Sequence, residues 1–158
     1  RAGGPGVPPQ IAADTEAANP AEPPIALLLR CHEQLKGTRG AVMTVAFVHR
    51  RDRTLTWLGV GNVEAALFRD DGAGTTPERA LLRNGVLGYL LPPVRAEVLP
   101  FKPLDTLIIV PAGTHPTFAD ELRPGHDVQA VPDGILARHQ NPNDDALVVV
   151  ARYLGGAC

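Results

Sequence analysis

Two adjacent carboxylates, Asp144 and Asp145, are the residues of this chain whose type and position best suit a metal ion. They directly precede the apolar run of residues 146–150, which predicts a buried strand. Carboxylate oxygens held at the end of a rigid strand suit Mg²⁺ or Mn²⁺. The same pattern is typical of an Asx-type turn that opens a strand. On this feature alone we favour the turn, because turns are rich in Asp.

A second candidate is the loop that follows the stretch TLIIVP, residues 106–111. This β-branched, apolar run predicts a buried strand, and such a strand fixes whatever the next loop carries. The loop offers small residues, a hydroxyl and an imidazole: Ala112, Gly113, Thr114 and His115. Because it has no carboxylate and no thiol, the residues alone leave three options open. It is an unusual site, a site that has lost its function, or only a turn.

A Gly-x-Gly motif, Gly59 to Gly61, lies between two predicted strands. No helix follows it, so it does not predict a dinucleotide site, which needs a helix N-terminus for the phosphates. We expect these glycines to permit a bulge or a close approach of two backbones, and Trp57 to belong to the core. Asn62 is the residue of this stretch that we expect to have a polar role.

Nucleophilic catalysis is not expected from the remaining residues. The chain contains no serine, and its histidines show no zinc-helix spacing beside an acid. Cys31 and His32 are neighbours in a predicted helix, which points their side chains apart, so they do not predict a thiol and base pair.

Composition predicts one soluble domain. The chain has 158 residues, 44% of them apolar, and a net charge of −2. No basic run long enough to follow a phosphate backbone is present, so nucleic acid is not an expected partner. No apolar stretch reaches the roughly 20 residues of a membrane span. Two cysteines favour a reducing cytoplasm. The missing initiator Met and signal pattern suggest that the chain begins inside a longer protein.

The pattern of elements predicts an α+β fold with mainly antiparallel sheet. Residues 1–24, rich in Pro, Gly and Ala, are expected to form an irregular lead-in, and residues 25–158 a single domain. A helix is predicted over 25–36, and Ile25, Leu28, Leu29 and Leu35 fit one face of it. Strands come in runs joined by turns, and helices are grouped between the runs. Their predicted order is a hairpin over 41–62, a strand at 63–70, a strand–turn–strand over 79–91, two strands over 94–110, a helix over 127–140 and a central strand over 146–154.

Three segments in this order resemble the PPM-type metal-dependent protein phosphatases, in particular their SpoIIE-like branch and its short RsbX-like members. The segments are TLTWLGVGNVEAALFR, LLRNGVLGYLLPPVRAEVLPFKPLDTLIIV and ILARHQNPNDDALVVVARY, and the resemblance covers residues 25–155. It implies two packed antiparallel sheets flanked by helices, with Mn²⁺ or Mg²⁺ at one end of the sandwich. It also implies attack by a metal-bridging hydroxide on phosphoserine or phosphothreonine of a stress regulator.

The resemblance also implies metal-binding positions, and most of them are altered. The family's Asp before the last strand matches Asp144, whereas Asp145 is expected to face the other way. The family's Thr-Asp-Gly turn falls on residues 111–113, so Ala112 replaces its Asp and Gly113 keeps its Gly. An Asp-Gly-x-Gly-His-Gly turn aligns with residues 1–6, where Arg1 replaces the Asp. The strands that normally precede that turn are missing.

Three functions are therefore weighed. The favoured one is a degenerate phosphatase-like module in cytoplasmic stress or sigma-factor signalling. It would bind a phosphorylated or unphosphorylated regulator of the STAS or kinase type, with Mn²⁺ or Mg²⁺ held weakly or no metal at all. The second is an active Mn²⁺- or Mg²⁺-dependent phosphatase whose missing acids come from elsewhere. The third is an unrelated enzyme that uses His115 with Thr114.

Overall fold

The computed structural model describes residues 23–70, 77–111, 128, 130–139 and 148–155 of the chain. Two helices and seven strands lie in this part: α1 (Pro24–Gln34), β1 (Met43–His49), β2 (Thr54–Val60), β3 (Val63–Phe68), β4 (Glu78–Arg79), β5 (Glu97–Pro100), β6 (Thr106–Pro111), α2 (Ala130–His139) and β7 (Val149–Arg152). All strand pairs are antiparallel. The α+β prediction is therefore confirmed.

The strands form two sheets. One has the order β1-β2-β5 and the other the order β4-β3-β6-β7. The predicted hairpin is β1-β2, whose register runs from Met43 opposite Val60 to His49 opposite Thr54. Its turn places Arg53 at a φ of 52°, a left-handed conformation that non-glycine residues adopt mainly in turns.

The two sheets pack face to face because alternate side chains of their central strands point into the space between them and are apolar. Leu55 and Trp57 of β2 meet Leu67 of β3 and Leu107 of β6 in one cluster of buried side chains. Trp57 is only 1% exposed, as expected of a core residue, and its indole N–H donates to Glu97 Oε2 at 3.0 Å. Because successive side chains of a strand point to opposite faces, the intervening residues are free to face the helices.

A helix covers the outer face of each sheet. Leu58 and Val60 of β2 pack with Leu28 of α1, and Ile108 of β6 packs with Ile135 of α2. The order of layers is therefore α1, first sheet, second sheet, α2. Strands β2 and β6 are apolar on both faces, which explains their nearly continuous hydrophobic sequences.

The predicted helix is confirmed, but its predicted buried face is partly wrong. Leu27, Leu28, Cys31 and Leu35 are buried, whereas Ile25 and Leu29 are exposed, Leu29 by 43%. An α-helix has 3.6 residues per turn, so the predicted face and the buried face lie close together and share Leu28 and Leu35. Packing against β2 buries the face that includes Leu27 and Cys31.

Two strand predictions need correction. Residues 80–91 form isolated bridges, Ala41 to Leu87 and Val86 to Leu90, instead of a strand–turn–strand unit. Here the chain turns tightly at Gly88, whose φ is +88°, and pairs only at single positions. Within the residues that the structure describes, β7 pairs with β6 alone, so it lies at a sheet edge and not at the expected central position.

Candidate functional site

Several strand ends meet at one end of the sandwich. β3 begins with Val63 opposite Pro111, where β6 ends, and β7 begins with Val149 opposite Ile109. In the other sheet, β2 ends at Val60 directly before the turn into β3. We call this the site end. Loops that follow β6 or precede β7 start from neighbouring positions there, because adjacent strands lie about 4.8 Å apart.

Six of the predicted site residues lie outside the described residues: Ala112, Gly113, Thr114, His115, Asp144 and Asp145. The same holds for Arg1. The described neighbours of the two predicted loops are Pro111 and Val148, and both belong to the site end. The assignments of these six residues therefore stay predictions, while the strands that would carry them are in place.

Gly61 and Asn62 are the predicted site residues that the structure does describe, and they form the turn between β2 and β3. Gly61 has a φ of +93°, and its N–H donates to the carbonyl oxygen of Arg83 at 2.8 Å. A Cβ atom at Gly61 would lie 2.2 Å from Val42 Cγ1, so this turn leaves no room for a side chain. The atom in the way belongs to a side chain, so the predicted bulge or close approach of two backbones stays a prediction. Asn62 is exposed and makes no hydrogen bond to another described residue, so its polar role stays a prediction.

A hydroxyl that the sequence did not single out ties the two sheets together at the site end. Thr44 Oγ1 on β1 donates to the carbonyl oxygen of Val63 on β3 at 2.6 Å. Thr44 lies opposite Gly59, where a Cβ would come 2.5 Å from Oγ1, so the first glycine of the motif makes room for this hydroxyl. The register of the predicted hairpin is the signal that could have identified this hydroxyl, because it places Thr44 opposite Gly59.

At the opposite end of the sandwich, Arg69 forms a second tie between the sheets. Its Nε donates to Glu78 Oε1 at 2.7 Å, and its Nη1 donates to Asp105 Oδ2 and to the Pro100 carbonyl oxygen, each at 2.6 Å. Asp105 is only 3% exposed and also accepts from the Lys102 N–H at 2.8 Å. Residues of β4 and β5, and the residue directly before β6, thus converge on one guanidinium.

The electrostatics of Arg69 fit a structural role. Burial lowers the pKa of its guanidinium, but hydrogen bonds and charge attraction from Glu78 and Asp105 outweigh burial, so the pKa lies above its ordinary value. A cleft of about 390 Å³ opens beside this network, lined by Arg69, Asp70, Glu78, Pro100, Lys102, Pro103 and Asp105. Because Arg69 is already paired with two carboxylates and a carbonyl, the network is an ion-pair cluster and not an open anion site.

The described residues alone do not build a metal centre. Among residues 23–70, 77–111, 128, 130–139 and 148–155, no three His, Cys, Asp or Glu side chains come together. Glu64, the carboxylate of β3 nearest the site end, accepts from Arg79 Nη1 at 3.1 Å. A hard divalent cation takes six or more oxygen ligands, several of them carboxylates, so these residues do not fit one by themselves.

The adjacent Cys31 and His32 do not form a nucleophile and base. Cys31 is buried against the first sheet, while His32 Nδ1 accepts a hydrogen bond from the Gly88 N–H at 3.0 Å. His32 therefore positions the tight turn of residues 86–90. None of the helices described here has both the length and the apolar composition to cross a membrane.

Comparison with solved structures identifies this architecture. One similar structure comes from work on the bacterial stressosome, which is described as a modular system adapted to control secondary messenger signalling. It superposes on this chain with a TM-score of 0.78 at 23% sequence identity, and the match covers 90% of this chain and 74% of that one. RsbX in complex with magnesium gives 0.77 at 19% identity, covering 89% and 70%. The chain has the PPM-phosphatase fold. PppA, a regulatory component of the type VI secretion system in Pseudomonas aeruginosa, shares it with a TM-score of 0.68 at 14% identity, covering 97% and 83%.

The PPM fold is thus confirmed by structure although the sequence is divergent. No family model and no curated protein matches the sequence. RsbX was solved with magnesium, and the SpoIIE phosphatase domain of Bacillus subtilis was presoaked with Mn. The structural likeness concerns the fold, so the chemistry of this chain has to be argued from its own residues.

Proposed function

We propose that this chain is a PPM-type pseudophosphatase domain of bacterial stress or sigma-factor signalling, which binds a protein regulator in the cytoplasm without efficiently removing its phosphate. The observation that carries the proposal is the residue directly after β6. Pro111 ends β6 at the site end, and the next residue is Ala112, where the resemblance implies a metal-binding Asp. An alanine offers no oxygen ligand from its side chain.

The charge balance at the site end supports the same proposal. Two neighbouring divalent cations repel each other unless several carboxylates offset their charge. Of the implied carboxylates only Asp144 is kept, with Asp145 next to it, and the position of Arg1 would add a positive charge. A cation held mainly by Asp144 would bind weakly, and a pair would not bind together. If loaded, Mn²⁺ or Mg²⁺ would supply an activated water and charge neutralisation.

A protein regulator is the partner that fits best. Two solved structures with this fold have regulatory descriptions: one comes from work on the stressosome, a system adapted to control secondary messenger signalling, and the other is PppA, a regulatory component of a secretion system. We therefore propose a regulator of the STAS or kinase type, phosphorylated or not. In the same proposal residues 25–158 form the binding domain and residues 1–24 lead into it.

An active Mn²⁺- or Mg²⁺-dependent phosphatase is the second candidate. It is favoured by the well-formed backbone of the site end, where Gly61 makes a tight turn at a φ of +93° and Thr44 links the two sheets. This candidate needs the missing acids to come from another chain or another part of the protein.

Metal titration and turnover separate the two candidates. Calorimetry with MnCl₂ is expected to give no pair of sites in the wild type, and hydrolysis of p-nitrophenyl phosphate and of a phosphoserine protein is expected to be negligible. Ala112→Asp should gain Mn²⁺ affinity because it restores a carboxylate. Ala112→Asn, which has nearly the same shape and no charge, is the matched control and should not. Wild-type turnover that Asp144→Asn abolishes would overturn the proposal.

A further inference from the structure

We propose that the tip of the β1-β2 hairpin, together with Lys102, is a docking surface for an acidic segment of a partner protein. The surface, called the basic tip, consists of Arg50, Arg51, Arg53 and Lys102, all of them exposed. The Phe101 N–H donates to the Arg53 carbonyl oxygen at 2.8 Å, which brings Lys102 beside the turn. Four cationic side chains thus project from one small part of a chain whose net charge is −2.

The positive charges of the basic tip are not neutralised by the described part of the protein. None of its four side chains makes an ion pair or a hydrogen bond there, whereas Arg69 and Arg79 pair with carboxylates. Asp52 is the only acidic residue within the turn. Cations held this close repel one another, and an anionic partner would relieve that repulsion. Charge complementarity of this kind raises association rates and selects acidic partners.

The backbone under the basic tip is fixed, which favours binding. The register of β2 with β5 continues to Thr54 opposite Pro100, and Phe101 is buried and stacks on Tyr153 with ring centroids 5.2 Å apart. A preorganised loop loses less conformational entropy on binding than a free one. On binding, only the side chains of the basic tip, and not its backbone, would have to lose conformational freedom.

A protein segment suits this surface better than a nucleic acid. The tip has few charges, Asp52 lies within it, and Asp70 lines the same cleft as Lys102, so it does not form the long cationic track of a phosphate-backbone site. Lys102 also lines the cleft of about 390 Å³, whose walls include Pro100 and Pro103. The cleft is also lined by Asp70, Glu78 and Asp105, so the carboxylates of an acidic peptide would bind the arginines of the turn, and only an apolar side chain would lie against these prolines.

The basic tip lies at the far end of the sandwich from the site end. Within the hairpin, His49 and Thr54 pair at the tip, while Met43 and Val60 pair at the site end. A partner held at the tip would leave the site end open. The inference concerns different residues from the proposed function and does not depend on it.

The test uses the full chain and a fluorescein-labelled peptide in which glutamates alternate with glycines. Fluorescence anisotropy is expected to show binding that weakens as salt is added, because exposed charges are screened. Arg50→Ala/Arg51→Ala should weaken binding about tenfold, since two exposed charge pairs are lost. The control Arg39→Ala/Arg95→Ala removes two exposed arginines elsewhere and should bind like the wild type.

Three results would overturn the inference. One is an equal loss of affinity in both double variants, which would mean that only net charge matters. Another is equal binding of a peptide with glutamine in place of glutamate. The third is tighter binding of a DNA duplex than of the acidic peptide. Unchanged Trp57 fluorescence would show that each variant is folded. None of these measurements involves a metal ion or a phosphorylated protein, so a negative outcome leaves the proposed function standing.

Discussion

Replacing Arg69 by methionine should destabilise the domain strongly, although Arg69 lies far from the site end. Methionine keeps the length and most of the apolar stem of the side chain but removes the guanidinium. The Asp105 carboxylate, only 3% exposed, would then have the Lys102 N–H as its remaining donor among the described residues. Glu78 is 42% exposed and can turn to water, so most of the cost comes from Asp105.

The expected magnitude follows from the burial of the pair. Removing one partner of a buried ion pair costs about 3–5 kcal/mol, because the other charge stays desolvated. Arg69 is 17% exposed, so some water can reach the site and we expect the lower end, about 3 kcal/mol. Arg79→Met is the matched control. Its pair with Glu64 is much more exposed, and its loss should cost less than about 1 kcal/mol.

Urea denaturation followed by the fluorescence of the single tryptophan measures both variants. Trp57 is buried between the sheets, so its emission reports global unfolding. With a slope of about 2 kcal/mol per molar urea, a loss of 3 kcal/mol lowers the midpoint by about 1.5 M. The further change Asp105→Asn in the Arg69→Met background should recover part of the loss, because the buried charge is removed.

Equal midpoints for Arg69→Met and Arg79→Met would refute this reasoning. So would a double variant that is less stable than Arg69→Met alone, since that would mean that the unpaired carboxylate was not the source of the cost.

The same urea assay checks two further predictions. Gly61→Ala should cost more than Gly37→Ala, because both glycines have positive φ but only at Gly61 would a Cβ collide, at 2.2 Å from Val42 Cγ1. We expect about 1 kcal/mol for Gly37→Ala and at least about 2 kcal/mol for Gly61→Ala, and equal losses would contradict the close approach. Leu28→Ala should cost about 3 kcal/mol and Leu29→Ala less than about 1 kcal/mol, since only Leu28 is buried, and the reverse order would mean that α1 presents its other face.

Local sequence patterns predicted β2 and β6 well because the residues of these two strands themselves favour a buried strand. Their β-branched and apolar runs have no stable alternative to a strand buried on both faces. Helix α1 was also predictable, but the choice between Leu27 and Leu29 for the core was not. Both faces are apolar, and only the contact with β2 decides between them.

The ties between the sheets could not be predicted from local patterns. Arg69 and Asp105 are 36 residues apart in sequence, so no spacing rule links them. Gly61 was predictable because a glycine between two strands indicates a special backbone conformation. The metal-binding assignments at Ala112 and Asp144 came from resemblance to a family, since nothing in their local chemistry distinguishes them from ordinary turn residues.

The neighbouring positions of β6 and β7 have a consequence for how the sequence of such a domain can evolve. β6 ends at Pro111, and β7, the strand beside it, begins at Val149. The residues between the two strands can therefore change in number and type without shifting the register of either strand, provided that Val131 and Ile135 still cover the sheet. A fold arranged in this way can lose acids from its loops and keep its architecture. Recruitment of an old catalytic scaffold for binding then requires no rebuilding of the core.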